Sequence, residues 1–234
     1  MIKKIVFILV LFFKLQSKLL LVILAGGESK SCDSINNKLL EPIDGKPVIN
    51  WVCEKALEAK KAKDIIGEIV VVIDNQSDTI KKVIDTSFKD NLKYLFLPRT
   101  TRSQKIAKAV GYAKKNKFDG VIFLFGSMPT IATIDIIKLI EEAEKKDHSY
   151  IRYEINCRPS HPVYIHKKHF SQLKPDARLC DSIPKDNYKK LAHSVNPIHI
   201  KSKKDFEESV AMLKTAEEVK SSSKNKLKAT KNLV

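Results

Sequence analysis

The sequence has no Cys-x-x-Cys pair, although it contains four cysteines. They are widely separated in the chain, at Cys32, Cys53, Cys157 and Cys180. Zinc sites and dense disulfide frameworks need cysteines at short or regular spacings, so neither is indicated. Reduced thiols in a cytoplasmic protein are the simplest interpretation of this pattern.

Aromatic residues are also few, at 7% of the chain, and they do not alternate with basic residues. Proteins that bind single-stranded nucleic acid stack the bases on aromatic side chains within a basic surface. The net charge of +16 is large, but the excess of lysine is spread along the whole chain. We therefore expect no specific nucleic-acid partner.

Long hydrophobic runs are absent as well. The apolar stretch over residues 5–13 is too short for a membrane-spanning helix of about 20 residues, and no small-x-small cleavage site follows it. We predict that residues 1–17 form an apolar extension. A translated upstream segment, an extra helix and a weak membrane contact through residues 5–13 all remain open. At the other end, residues 220–234 are rich in lysine and serine, which predicts a disordered basic tail.

The most informative stretch begins at Leu19. Residues 19–25 are an unbroken apolar run, which is typical of a strand buried on both faces. Gly26 and Gly27 follow at once, and a backbone without Cβ atoms allows a phosphate to approach its amide groups closely. Lys38 follows after a polar loop, and Pro47 is suited to the first position of a helix.

Strand-like and helix-like segments alternate beyond this point, which predicts an α/β domain over residues 18–219 with a mostly parallel sheet. The predicted strands after the first are 68–73, 94–97, 121–125, 149–154, 162–165 and 194–200. The predicted helices are 47–61, one that includes residues 80–84, 101–115, 132–145 and 205–218. Because parallel strands end at one edge of the sheet, Gly26-Gly27 and the segment 126–129 should face the same crevice.

The order of these features resembles the amino-terminal signature of the nucleotidyltransferase superfamily. An apolar strand, Ala-Gly-Gly, a spacer, Lys-Leu-Leu-x-Pro and Asp-Gly-Lys-Pro-Val occur in that order. The resemblance implies a three-layer, Rossmann-like fold of the nucleotide-diphospho-sugar transferase type. It also implies that Leu24, Ala25, Gly26 and Gly27 hold a nucleotide, and that Lys38 meets its phosphates as a catalytic residue.

Two later segments narrow the resemblance to the MobA-like group, the molybdenum cofactor cytidylyl- and guanylyltransferases. Leu-Phe-Gly-Ser-Met-Pro over residues 124–129 is similar to that group's Leu-x-Gly-Asp-Met-Pro element. Ser160-His161-Pro162-Val163 is similar to its Gly-His-Pro-Val segment, which implies a substrate contact for His161; an ordinary turn histidine is the equal alternative.

The sequence departs from the family pattern at the positions that bind the metal and the phosphates in the family. Ser127 replaces the aspartate that binds magnesium in the family, and a hydroxyl is a poor ligand for a hard divalent cation compared with a carboxylate. Ser31-Cys32-Asp33 replaces Arg-Met-Gly in the glycine loop. If Mg²⁺ binds as the resemblance implies, Asp176 is the candidate that we name for a compensating ligand.

The resemblance implies an enzyme that moves CMP or GMP from CTP or GTP to a phosphorylated acceptor such as molybdopterin and releases pyrophosphate. A relative that acts as a sugar-phosphate or isoprenoid cytidylyltransferase shares the first motif and stays open. A catalytically decayed nucleotide-binding or interaction protein with the same fold is the other alternative. Arg99 and Arg102 are either phosphate or base contacts or, more simply, exposed loop residues, and the histidines other than His161 receive no role.

Overall fold

The apolar run that begins at Leu19 forms a strand, β1 (Leu19–Leu24), and all six of its residues are buried. It lies inside a seven-stranded sheet, with a parallel strand hydrogen-bonded on each side. A strand in this position has both faces covered, which is why its sequence shows no alternation of polar and apolar residues. The predicted central strand is confirmed.

This computed structural model describes residues 18–26, 37–74, 78–177, 179–185 and 188–216. The predicted extension over residues 1–17, Gly27, the segment 31–33 and the predicted tail over residues 220–234 lie outside the described residues. Within the described ranges, no helix is both long enough and apolar enough to cross a membrane.

Eight further strands, five α-helices and three short 3-10 helices follow β1 in the described residues. The strands are β2 (Pro42–Ile43), β3 (Lys46–Pro47), β4 (Ile66–Asp74), β5 (Lys93–Leu97), β6 (Gly120–Phe125), β7 (Tyr150–Ile155), β8 (Arg158–His166) and β9 (Tyr188–Ala192). The helices are α1 (Val48–Ala62), α2 (Asp78–Phe88), α3 (Arg102–Lys115), α4 (Thr133–Glu144) and α5 over residues 203–216.

The large sheet has the strand order β5-β4-β1-β6-β8-β7-β9. Strand β8 runs antiparallel to both of its neighbours, and every other pairing in this sheet is parallel. Strands β2 and β3 form a separate antiparallel ribbon. The predicted mostly parallel sheet is confirmed, and the carboxyl ends of β5, β4, β1 and β6 therefore lie at one edge.

Helices cover both faces of the sheet. Alternate side chains of β1 point to opposite faces, as strand geometry requires. Leu21 and Ile23 pack in one core cluster with residues of α1, α2 and α4, whereas Leu20 and Val22 pack in a second cluster with residues of α3. The predicted three-layer α/β/α arrangement is thus confirmed.

Helix α3, which borders the candidate site, begins at a capping box. The Thr101 side chain accepts a hydrogen bond from the Gln104 amide, and the Gln104 side chain accepts one from the Thr101 amide. These bonds satisfy two amide groups near the start of the helix and fix where it begins. Arg102 and Lys105 consequently lie one turn apart at its amino-terminal end.

One predicted strand is wrong. Residues 194–200 have no strand conformation, and β9 takes the place at the sheet edge beside β7. The backbone of this segment finds other partners, because the Ile198 amide donates to Thr130 Oγ1 at 2.7 Å and the Ile200 amide donates to the Ser127 carbonyl at 2.9 Å. The segment therefore crosses the end of the sheet and becomes part of the candidate site.

The close packing of β6 on β8 yields a stability prediction for Gly120. An added Cβ would overlap the ring of Tyr164, which is buried, so we expect Gly120→Ala to lower the free energy of unfolding by about 1–3 kcal/mol. Gly111 is the matched control, since it lies within α3 with open space at the Cβ position. Gly111→Ala should raise the free energy of unfolding by up to about 1 kcal/mol.

Urea unfolding of both variants, monitored by circular dichroism, checks these two opposite changes in the free energy of unfolding. An unchanged or raised free energy of unfolding in Gly120→Ala would contradict the packing at β6.

Candidate functional site

The carboxyl ends of β1 and β6 meet in a small cavity of about 120 Å³. The Gly126 amide donates to the Leu24 carbonyl at 3.0 Å, which joins the two strand ends directly. Leu24, Ala25, Gly26, Lys38 and Ser127 are among the residues that line the cavity. The structure therefore brings together the glycine motif, the motif lysine and the Gly-Ser-Met-Pro motif, as the sequence predicts.

Gly26 lies in close contact with an ion pair of a buried lysine and a partly buried aspartate. A Cβ atom at this position would be 2.6 Å from Lys105 Nζ and 2.9 Å from Asp74 Oδ1. Neither distance leaves room for a methyl group, so a residue with a side chain could not occupy position 26 without displacing the pair. Gly27 lies outside the described residues, and its predicted nucleotide contact stays a prediction.

Lys38 is held against the segment that crosses the end of the sheet. Its Nζ atom donates to the Ile200 carbonyl at 3.0 Å, and its side chain lines the cavity. This hydrogen bond fixes the ammonium group near the ends of β1 and β6. Phosphate contact by Lys38 remains a prediction, but the charge lies where that role requires it.

Lys105 and Asp74 form the ion pair beside Gly26, with 2.6 Å between Nζ and Oδ1. The Lys105 side chain is 3% exposed, and Asp74 ends strand β4. A buried ammonium group needs a charged or hydrogen-bonding partner, and Asp74 supplies it. The pair therefore places a positive charge in the wall of the cavity.

The described residues of this cavity do not fit Mg²⁺. Its described lining contains lysine, arginine and histidine but no aspartate or glutamate, and Ser127 offers only a hydroxyl. Across the described parts of the chain, no three His, Cys, Asp or Glu residues are grouped as a metal site would need. Asp176 is exposed and lines neither cavity described here, so its role as a metal ligand stays a prediction.

A larger cavity of about 540 Å³ adjoins the first one, and Phe125 and His199 line both. Its lining includes Arg158, Ser160 and Lys201. Two basic side chains in its wall favour an anionic occupant over a neutral or cationic one. His161, the predicted substrate contact, also lies in this wall.

His161 is held by the backbone of β6. Its Nδ1 atom donates to the Phe123 carbonyl at 3.0 Å, which leaves Nε2 as the acceptor of the ring, and the Phe125 ring lies 3.7 Å away between centroids. Burial lowers the pKa of His161 to about 4, although the bond to Phe123 acts in the opposite direction. The imidazole is therefore neutral at pH 7.

His199 separates the two cavities and stacks on Phe125, with 4.8 Å between ring centroids. Burial lowers the pKa of His199 to about 3, and the positive charges of Lys201, Lys38 and Arg102 lower it further. The Arg102 guanidinium lies over the Phe125 ring, 4.7 Å from its centroid. The electrostatic environment of both cavities is thus positive.

A buried carboxylate anchors the segment that carries His199. Asp135 Oδ2 accepts from His193 Nδ1 at 2.8 Å, and Asp135 Oδ1 accepts from the Ser194 amide at 3.0 Å. His193 Nε2 lies 3.1 Å from Ser160 Oγ, and its ring stacks on Tyr153. This network ties α4, β8 and the crossing segment together.

Sequence reasoning missed several of these residues. Lys105, His193, His199 and Asp74 received no role. Arg102 had two alternatives, a phosphate or base contact and, more simply, an exposed loop residue; it is exposed and begins α3. Two signals were available: Asp74 is a carboxylate at the carboxyl end of a parallel strand, and Arg102 and Lys105 are three residues apart, which places them on one face of a helix. No comparable signal links His193 with Asp135.

Comparison with known families gives one match over most of the chain. A family model described as the MobA-like NTP transferase domain matches residues 21–190. Among curated proteins, the bifunctional protein GlmU of Thermosipho melanesiensis is 29% identical over 128 residues, which are 55% of this chain and 26% of that protein. GlmU of Fervidobacterium nodosum is 30% identical over 125 residues, or 53% and 25% of the two chains. The chain thus spans about a quarter of these relatives.

Solved structures share the fold at low sequence identity. A homologue of Rv0371c from Mycobacterium sp. strain JC1 has a TM-score of 0.70 and 17% identity, covering 86% of this chain and 100% of the other. The 4-diphosphocytidyl-2C-methyl-D-erythritol synthase of Anaerococcus prevotii has a TM-score of 0.68, 16% identity and coverages of 85% and 99%. Rv0371c of Mycobacterium tuberculosis, solved with manganese, has a TM-score of 0.63, 16% identity and coverages of 83% and 99%.

The Asp135 network yields a prediction for the pH dependence of stability. Burial alone would raise the pKa of Asp135, but hydrogen bonds from His193 and Ser194 outweigh burial and hold its pKa below the ordinary value. The stability that Asp135 contributes is therefore present above the unfolded pKa and is lost as the pH falls through the folded one. We expect Asp135→Asn to cost about 3 kcal/mol at neutral pH and to flatten the acid limb of the stability curve.

Urea unfolding between about pH 3 and pH 7 checks both effects. Asp147→Asn is the matched control, because Asp147 is exposed and should change the free energy of unfolding by less than about 0.5 kcal/mol. Equal losses in the two variants, with parallel pH profiles, would show that Asp135 is not the anchor.

Proposed function

The chain belongs to the MobA-like NTP transferase domain family, and on that premise we propose that it is a nucleotidyltransferase. It moves CMP or GMP from the triphosphate to a phosphorylated acceptor such as molybdopterin and releases pyrophosphate, with residues 18–219 as the domain responsible. A cytoplasmic location, where nucleoside triphosphates are available, is part of this proposal. The observation that supports it most is the crevice shared by Gly26, Lys38 and Ser127 at the ends of β1 and β6.

The proposed roles follow from the two cavities. The backbone at Leu24, Ala25 and Gly26 lies against the triphosphate, and the Lys38 ammonium group offsets phosphate charge. The acceptor lies in the larger cavity, where Arg158 and Lys201 attract its phosphate. An acceptor oxygen then attacks the α-phosphorus and pyrophosphate leaves, a reaction that is accelerated mainly by fixed positive charge.

His161 is proposed to position the acceptor. Its neutral ring, with Nδ1–H bonded to Phe123, offers Nε2 to a donor group of the substrate. The resemblance to this family also implies Mg²⁺, and one structural neighbour was solved with manganese. Because the described lining does not fit Mg²⁺, we derive no step through a metal ion.

The acceptor and the base remain alternatives within this proposal. A sugar phosphate or an isoprenoid precursor is supported by the name of one structural neighbour, a 4-diphosphocytidyl-2C-methyl-D-erythritol synthase. A second candidate function is nucleotide binding without transfer. Ser127 favours it, since this residue replaces the carboxylate that binds the metal in the resembling enzymes.

Nucleotide binding by the full chain tests the proposal first. We expect CTP or GTP to bind in preference to ATP and UTP, as measured by isothermal titration calorimetry. Lys38→Met should weaken binding by about tenfold, because a charge-assisted hydrogen bond to phosphate is lost. Lys61→Met, an equal charge change on the exposed surface of α1, should leave affinity unchanged. Failure of all four nucleotides to bind would overturn the proposal.

Ser127→Asp distinguishes the two candidate functions. For a transferase, we expect the wild type to release pyrophosphate when the correct acceptor is supplied, and to gain little from the added carboxylate. For a decayed enzyme, we expect no pyrophosphate release above background from the wild type. Ser127→Asp should then raise the magnesium-dependent rate of pyrophosphate release to at least about tenfold above that background, because the lost charge stabilisation is restored. Ser127→Asn, which adds similar bulk without charge, is the control. A coupled pyrophosphate assay with molybdopterin, a sugar 1-phosphate and an isoprenoid-precursor phosphate provides the measurement.

A further inference from the structure

The small cavity concentrates positive charge from separate parts of the chain. Lys38 follows the glycine motif in sequence, whereas Arg102 and Lys105 come from the first turns of α3. The described lining contains no aspartate or glutamate, but Asp74 lies beside it and balances the charge of Lys105 across 2.6 Å.

This charge distribution opposes a divalent cation. Mg²⁺ binds through carboxylate oxygens and retained waters, and the described lining provides a hydroxyl at Ser127 in place of a carboxylate. Lys38 and Arg102, beside the Lys105–Asp74 ion pair, leave an excess of positive charge that disfavours a metal ion and attracts phosphate oxygens. The site is thus suited to an anion and unsuited to the metal that usually accompanies it.

Lys105 is the residue best positioned to replace that metal. Its Nζ atom is buried beside Gly26, at 2.6 Å from where a Cβ would lie, so a ligand that approaches the Gly26 backbone meets this ammonium group. Asp74 Oδ1 lies 2.6 Å from Nζ as an ion-pair partner and accepts no hydrogen bond from the described residues. The three donor hydrogens of the ammonium group can therefore bond phosphate oxygens without breaking the ion pair.

We propose that this cavity binds the polyphosphate of a nucleoside triphosphate directly on Lys105, Lys38 and Arg102, without a divalent metal. The inference rests on the proposed function, since it assumes a nucleotide at this site. In this site Lys105 of α3, held in place by Asp74, neutralises the phosphate charge that a metal ion usually neutralises. Burial and the neighbouring cations keep His199 neutral, and the pKa of His199 therefore responds to changes in the local charge.

Binding with and without metal is the direct test. The full chain is titrated with CTP, GTP and inorganic tripolyphosphate, once in EDTA and once in excess Mg²⁺. We expect affinities in EDTA within about twofold of those in Mg²⁺, and a marked weakening at high salt. Binding that appears only with Mg²⁺ would overturn this inference and leave the proposed function intact. Absence of binding under both conditions would instead overturn the proposed function.

A paired substitution tests the role of Lys105 without leaving a buried charge unpaired. Lys105→Met combined with Asp74→Asn removes both charges, so the net charge and the packing stay close to those of the wild type. We expect tripolyphosphate to bind about tenfold to a hundredfold more weakly in EDTA, as the loss of charge-assisted hydrogen bonds predicts. Lys108→Met is the matched control, because Lys108 is exposed on the same helix. Equal affinity in the double variant and the control would overturn the assignment.

The titration of His199 gives a readout that a structural role of Lys105 would not change. His199 is surrounded by Lys201, Lys38, Arg102 and His161, all of which disfavour its protonated form. A bound polyphosphate offsets these charges, so the pKa of His199 measured by NMR should rise when tripolyphosphate is added to the wild type, and should rise less in the double variant. An unchanged pKa of His199 in the wild type under saturating tripolyphosphate would place the anion elsewhere.

Discussion

The buried carboxylate of Asp135 controls the geometry of both cavities. It lies near the amino-terminal end of α4, and its two oxygens accept from His193 and the Ser194 amide. These bonds fix the start of the segment that crosses the end of the sheet, and the bond from Ile200 to the Ser127 carbonyl fixes its far end. Since an unpaired carboxylate at this depth would be costly, the segment has little freedom to move away. Lys38, for example, is held against this segment through the Ile200 carbonyl.

The crossing segment connects the two halves of the proposed reaction. His199 forms part of both cavities, the Ile200 carbonyl holds Lys38 at the smaller one, and Lys201 lines the larger one. A nucleotide and an acceptor bound on its two sides would therefore be held at a fixed separation by one short piece of backbone. Such positioning is a substantial part of catalysis in group transfer, because it replaces the entropy cost of bringing two anions together. A protein that binds a nucleotide without transferring it would need the same rigidity. The Asp135 network is therefore evidence for a binding site but not for catalytic turnover.

The fold was predictable where the information is local. The apolar run of β1 and the helix-like segments of α1 and α3 depend on residues that are close in sequence, and these elements occur where the sequence predicts them. The sequence predicts a strand over residues 194–200, but the hydrogen-bond partners of this segment, Thr130 and Ser127, lie far away in sequence. In the same way, Lys105 is one of many lysines until folding buries it beside Asp74, and nothing local links His193 with Asp135, 58 residues away. The spacing of the motifs predicts which residues line the candidate site. It does not predict which charged side chains become buried beside that site.

The Lys105–Asp74 pair is better explained by a ligand than by stability. Two apolar side chains of similar size would usually stabilise the folded state as well as a buried ion pair, because removing two charges from water offsets most of their attraction. A Cβ at position 26 would also displace the ends of both side chains, which favours glycine there, and glycine adds conformational freedom to the unfolded chain. Binding of an anion by the positive groups of the cavity would account for a pair that contributes so little to stability. In the proposed anion site, the Lys105 ammonium group would offset phosphate charge in a cavity where Ser127 offers only a hydroxyl.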